Sequence, residues 1–244
     1  MKERPIIFNA EMVRAVLEER KTQTRRIMKV QPDSPNFGLL RITDSTKRAD
    51  IGKYHWAESN GTGTHTRSAL FSCPFGAVGD RLWVRETFSG HYLDDDQIQE
   101  IKDGRDKASD LCEYRADYPN GAQAHEGWTP SIHMPRWASR ITLEITGVRV
   151  ERLQDISESD AVAEGIEPLP LEPGMPQFYH EYFPIGVKNG LRCNMSATNS
   201  FRGLWGGICG ADSWQANPWV WGIEFKRVAN HIIGSSISST SSEP

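Results

Sequence analysis

The alternation of apolar and polar positions predicts short strands more often than helices. Pro5-Ile6-Ile7-Phe8 is a brief apolar run. Asn9 then stands as a helix cap, with Glu11 in the first turn where its charge suits the helix dipole. Met12, Val13, Val16 and Leu17 recur at helical spacing and give that helix one apolar face. It ends in Glu18-Glu19-Arg20, and Lys21 to Met28 follows with β-branched residues in strand-like alternation. Residues 29–72 turn polar, with 37–42 and 53–56 readable as a loose hairpin. After the turn chemistry of Gly79-Asp80, Leu82 and Val84 alternate with Arg81, Trp83 and Arg85 as in a half-buried strand.

A second polar stretch begins near residue 89 and contains 112–115 as a short strand. In 140–153, Ile141, Leu143 and Ile145 share one face, and Gly147 marks a bulge or bend. Residues 156–166 read as a short helix capped by Ser157, with Asp160 in capping-box position and Gly165 as its stop. Residues 167–200 are loop-rich, 217–228 form the closing strand, and the serine-rich 229–244 read as a disordered tail. The pattern predicts an α+β fold, mainly β: a small, partly closed β-barrel with short helices and long loop insertions. One domain over 1–228 accounts for it, with insertions at about 29–72, 89–136 and 167–216.

Composition narrows the functional classes. With 244 residues, 38% of them hydrophobic, the chain can bury a sizeable core. A net charge of −4 excludes a purely electrostatic nucleic-acid binder and leaves room for a local basic groove. No stretch approaches the roughly 20 apolar residues of a spanning helix, and Asn9 and Glu11 interrupt anything like a signal peptide. The expectation is a soluble protein with no membrane partner. Cys73, Cys112, Cys193 and Cys209 are isolated, which fits reduced thiols in a cytoplasm. The histidines are scattered without ligand spacing, and P-loop, GxGxxG and GxSxG motifs are absent, so neither metal nor cofactor is expected. Tryptophans are core residues by default, and stacking on a nucleobase is their minority role.

Chemistry concentrates in one segment. Arg20, Lys21, Arg25, Arg26 and Lys29 form a basic run free of acidic residues, either a phosphate-attracting patch or a solvated strand edge. Lys21 and Thr24 are three apart, and odd separations in a strand point to opposite faces. They meet only if Lys21 occupies the turn before the strand. A threonine hydroxyl needs an adjacent base to act as a nucleophile, and a desolvated lysine among other cations supplies one. Glu164, in the last turn of its helix, faces the negative dipole end. That raises its affinity for a proton, though a tolerated solvent-facing carboxylate is the simpler reading.

Residues 17–26 (LEERKTQTRR) followed by Val78-Gly79-Asp80-Arg81-Leu82-Trp83-Val84 resemble the ASCH domain, a PUA-like β-barrel family with the signature G-x-K-x-x-E-x-R ahead of a G-D-x-apolar strand. Lys21 and Arg26 match, whereas Glu19 stands in place of the glycine and Thr24 in place of the glutamate. The K-T-x-T-x-R variant is similar to that of small N4-acetylcytidine amidohydrolases of the superfamily. The matched segments are 5–28, 75–88, 137–166 and 217–228; the insertions are more similar to a larger, phage-associated branch. The resemblance implies a Thr24 nucleophile, Lys21 as activator and Glu164 as proton donor. It further implies that Arg25, Arg26, Trp83, Arg85 and Trp137 bind a modified nucleoside or a single-stranded RNA. A non-catalytic reader of RNA or modified bases and a phage accessory protein remain alternatives.

Overall fold

The computed structural model of the protein describes residues 1–58, 67–90, 92–118, 127–171, 173–182 and 193–228; the expected tail lies outside them. The chain opens with β1 (Glu3–Ile7), α1 (Ala10–Leu17) and β2 (Gln23–Ile27), followed by the hairpin strands β3 (Phe37–Arg41) and β4 (Tyr54–Glu58). Next come β5 (Arg81–Arg85), β6 (Phe88–Ser89), α2 (Asp95–Lys102), α3 (Ala108–Leu111) and β7 (Glu113–Tyr114). The long strand β8 (Thr142–Arg152) leads into α4 (Glu158–Ala163), β9 (Tyr179–His180), β10 (Cys193–Asn194), α5 (Ala197–Cys209) and β11 (Trp219–Arg227).

Five strands form the central sheet in the order β1-β5-β8-β11-β2. β1 runs parallel to β5, and every other neighbouring pair in it is antiparallel. The fold is thus mixed α+β and mainly β, but the sheet is not closed into a barrel: β1 and β2 remain its two edges. A side chain spans the seam instead of a ladder, as Arg26 Nη2 donates to the Ile7 carbonyl at 2.8 Å. Both edge strands are five residues long and β1 gives way at once to α1, so little backbone is left over which they could pair.

Alternation assigns the two faces. Leu82, Val84, Leu143, Ile145, Trp221 and Ile223 turn inward onto Val13 and Val16 of α1 and onto the fully buried Trp56 of the β3–β4 hairpin. On the outer face α4 and α5 pack Ala161, Phe201, Leu204 and Trp205 around Leu153 and Val220. A third cluster, with Phe88, Tyr114 and Met134, sits beneath the second insertion.

The local signals act as the sequence predicts. Asn9 accepts from the Met12 amide at 2.8 Å, Ser157 accepts from the Asp160 amide at 3.1 Å, and Gly165 stops α4 with φ of +99°. Gly147 lies opposite Glu224 where the β8–β11 register shifts, and a Cβ there would come within 2.6 Å of the Glu224 carboxylate. Three helices were not expected: α2 and α3 lie in the second insertion, and the thirteen-residue α5 lies in the third, at about 167–216. Among the described residues no helix is long and apolar enough to cross a membrane.

Candidate functional site

The turn from α1 into β2 sets the site. Glu19 takes a φ of +61°, the left-handed conformation that glycine adopts without steric cost, at the position where the resembled signature carries glycine. The chain then folds back so that the Lys21 amide bonds the Ala15 carbonyl at 2.9 Å and the Thr22 amide bonds the Ala163 carbonyl at 2.9 Å. Lys21 therefore occupies the turn before β2, bridged to Glu164 at the end of α4. Gly165 permits this approach, since a Cβ there would meet the Ala15 Cβ at 2.9 Å and the Lys21 Cβ at 3.2 Å.

Lys21 Nζ donates to Glu164 Oε2 at 2.8 Å and to the Glu164 carbonyl at 2.7 Å. The other carboxylate oxygen, Oε1, accepts from Arg25 Nη1 at 3.1 Å. Arg25 Nη2 in turn lies 2.7 Å from Glu151 and 3.2 Å from Asp160. Arg149 extends the cluster, meeting Asp160 at 3.0 Å, Gln23 at 2.8 Å and Glu151 at 3.1 Å. Lys21, Arg25 and Glu164 are 2%, 1% and 3% exposed, so this is an interior ion cluster. Such a cluster adds little net stability, but losing one partner strands a charge at a cost of about 3–5 kcal/mol. Burial holds the Lys21 ammonium below the ordinary lysine range; Glu164 opposes that shift by charge and hydrogen bond, and Arg26 and Arg25 reinforce it.

Two expectations change here. Glu164 caps α4 rather than lying within its last turn, and its two oxygens are occupied by cations at hydrogen-bond distance, which displaces the dipole argument. Asp160 does not complete a capping box, because its carboxylate is engaged by Gln23, Arg25 and Arg149.

Thr24 and Arg26 point to the other face of β2. They pair with Ile223 and Trp221, whose side chains belong to the inner core. The Thr24 hydroxyl is fully buried and has no hydrogen-bond partner; the amine of Lys21 is turned to Glu164 instead. Lys21 Nζ and the Arg26 guanidinium each lie 5.6 Å from the centre of the Phe8 ring. Beyond Arg26 a cavity of about 480 Å³ opens along the seam, walled by Pro5, Ile7, Met12, Phe75 and Ile208. Arg26 is its charged wall.

The remaining expected ligands are not gathered here. Arg25 is locked among three carboxylates on the outer face, so it positions Glu164 and has no donor geometry toward the cleft. Trp83 and Arg85 also face outward, because Leu82 and Val84 between them take the core side. Trp137 packs edge-on against Phe88 in the third cluster, with ring centres 6.5 Å apart. Conversely, nothing in the sequence singled out Phe8, Glu151 or Arg149; the last two become readable only once β8 and β11 are in register with β2.

No family model matches the chain, and no curated protein and no solved structure matches it.

Proposed function

We propose that the chain is an amidohydrolase acting on an N4-acylated or similarly modified cytidine, with its chemistry at the start of β2. The observation that carries this reading is a buried threonine hydroxyl without a hydrogen-bond partner, three residues beyond a solvent-excluded lysine that lies beside a carboxylate and is held below its usual pKa. A buried hydroxyl without a partner loses about 1–3 kcal/mol of hydrogen bonding, a cost that a bound ligand relieves.

In this reading the acylated base enters the seam cleft and displaces Arg26 from the Ile7 carbonyl. The neutral Lys21 amine takes the Thr24 proton as Oγ bonds the acyl carbon, and the oxyanion forms beside the Arg26 guanidinium. Collapse breaks the C–N bond, and the departing N4 amine receives a proton through the Lys21–Glu164 pair. Water, activated by the same amine, then cleaves the acyl-threonine ester and returns free hydroxyl and carboxylate. Catalytic hydrogen bonds are often unformed before ligand binds, so the Lys21–Glu164 contact is a compatible resting state.

The test is turnover of N4-acetylcytidine to cytidine, followed by chromatography. Thr24→Ala is expected to abolish it without unfolding the protein, since that hydroxyl bonds nothing. Lys21→Met is expected to lower kcat by about 10²–10⁴-fold. Because the lysine must be neutral, kcat/KM is expected to rise with pH along a limb centred below the ordinary lysine value. Ligand-induced tryptophan fluorescence without turnover would replace the enzyme by a non-catalytic reader of modified bases.

A further inference from the structure

Among the described residues that line the seam cavity, Arg26 is the only charged one. The walls are otherwise apolar, from Pro5, Ile6, Ile7, Met12, Phe75 and Ile208, and the volume of about 480 Å³ falls among small-molecule sites, which span about 300–1,000 Å³. Ile7 and Ile208 are 44% and 46% exposed, so the mouth is apolar as well. A guanidinium has five N–H donors. Arg26 turns two of them to neutral acceptors, the Ile7 carbonyl at 2.8 Å and the Arg25 carbonyl at 3.3 Å. Glu164 is the carboxylate whose charge reaches it, and the two oxygens of Glu164 are taken by Lys21 and Arg25. No carboxylate among the described residues forms an ion pair with Arg26.

The neighbouring polar groups do not balance that charge. Asn9, which also lines the cavity, turns its side-chain oxygen to the Met12 amide at 2.8 Å, and its Nδ2 has no acceptor among the described residues. The Cys209 thiol balances Arg26 only as a thiolate. Burial raises its pKa above the ordinary thiol range, against the pull of Arg26, so it stays neutral near pH 7. The polar side chains on the wall therefore donate, and a ligand that satisfies them brings the acceptor and the negative charge itself. A carboxylate meets a guanidinium through two parallel N–H···O bonds. One cation suits a monoanion, whereas a phosphate dianion leaves a second charge against apolar walls. The rest of the ligand is apolar, because the walls offer it hydrophobic contact.

We propose that the seam cavity is a binding site for a small apolar monocarboxylate, a medium-chain aliphatic acid, with its head on Arg26 and its chain against Ile7, Met12, Phe75 and Ile208. The ligand is neither a nucleoside nor a nucleic acid, and the site does not rest on the hydrolase reading. Within that reading such acids compete with the substrate for the cleft.

The test is isothermal titration calorimetry of the full chain with acetate, butanoate, hexanoate and octanoate, and with octanamide, which keeps the shape of octanoate without its charge. Each added methylene is expected to tighten binding about three- to fourfold. Octanamide is expected to bind at least about tenfold more weakly than octanoate. Arg26→Met should erase that difference. Because Arg26→Met also frees the Ile7 carbonyl, a second substitution is made at the exposed rim. Ile208→Glu sets a like charge at the mouth and should weaken octanoate binding at least about tenfold, with thermal unfolding unchanged. Equal affinity of the wild type for octanoate and octanamide, or octanoate binding that neither variant weakens, overturns the proposal. Octanoate binding that depends on Arg26, without turnover of N4-acetylcytidine, supports the site and removes the hydrolase reading. Turnover with no carboxylate binding removes the site and leaves that reading standing.

Discussion

Glu19 holds a backbone conformation that L-residues avoid, and it does so one turn ahead of the buried lysine. Its side chain is exposed, and its contact with Arg227 at 3.9 Å is a loose surface ion pair worth little. Relief of the left-handed strain therefore dominates any substitution. Glu19→Gly is expected to stabilise the protein by about 1 kcal/mol, read from the midpoint of urea unfolding. Sequence alone identified this residue as a departure from a glycine signature but could not say whether the turn had changed. The turn is left-handed and its strain is accepted where Ala15, Lys21 and Gly165 meet closely. Residue type and spacing alone left Lys21 and Glu164 as weak candidates, and their ion pair at 2.8 Å emerges only once α4 meets the start of β2. The fixing of Arg25 was not readable: its three carboxylates come from β8 and α4, far along the chain.

At the level of elements, most strands and caps followed from alternation and turn residues, and α5 was the main omission. Its sequence ATNSFRGLWGGIC contains three glycines and two β-branched residues, a composition that disfavours an isolated helix. Packing decides the matter, since Ala197, Phe201, Leu204 and Trp205 close the outer core. The start of α5 has its own anchor. Glu158 on α4 accepts from the Ala197 amide and the Ser196 hydroxyl, each at 2.6 Å, and so ties the two helices together. Partial burial acts to raise the Glu158 pKa, but the hydrogen bonds from Ser196, Ala197 and Thr198 outweigh it and leave it below the usual range. Glu158→Ala is expected to cost about 1–2 kcal/mol at neutral pH. A depressed folded-state pKa gives stability that is present above the unfolded value and is lost as pH falls through the folded one. The difference between wild type and variant should accordingly vanish in acid, which denaturation at a series of pH values will show.

For the molecule as a whole, the open seam between β1 and β2 is the feature that alternation could not reveal. Periodicity tells which face a residue takes, whereas closure depends on how far the sheet curls and how long its edges run. Arg26 spans that seam through its bond to Ile7, with Phe8 beneath it. Arg26→Ala is expected to speed amide exchange in β1 and β2 while leaving the central strands β8 and β11 protected. Uniform loosening of all five strands would mean that the seam is held by packing alone.

The strand that carries the candidate chemistry finds its ladder partner only in β11, the last strand described, and its buried lysine finds its carboxylate 143 residues further on. During synthesis the basic β2 segment must therefore leave the ribosome long before any of its countercharges exist. Contacts so distant in sequence favour slow folding and leave an unpaired edge exposed in the meantime. The order of translation thus sets when the site can exist: a chain cut short anywhere before β11 has Lys21 and Thr24 but neither the ladder nor the dry surroundings of the folded protein. Premature products should lack the assembled Lys21–Glu164 cluster and be conspicuous to chaperones.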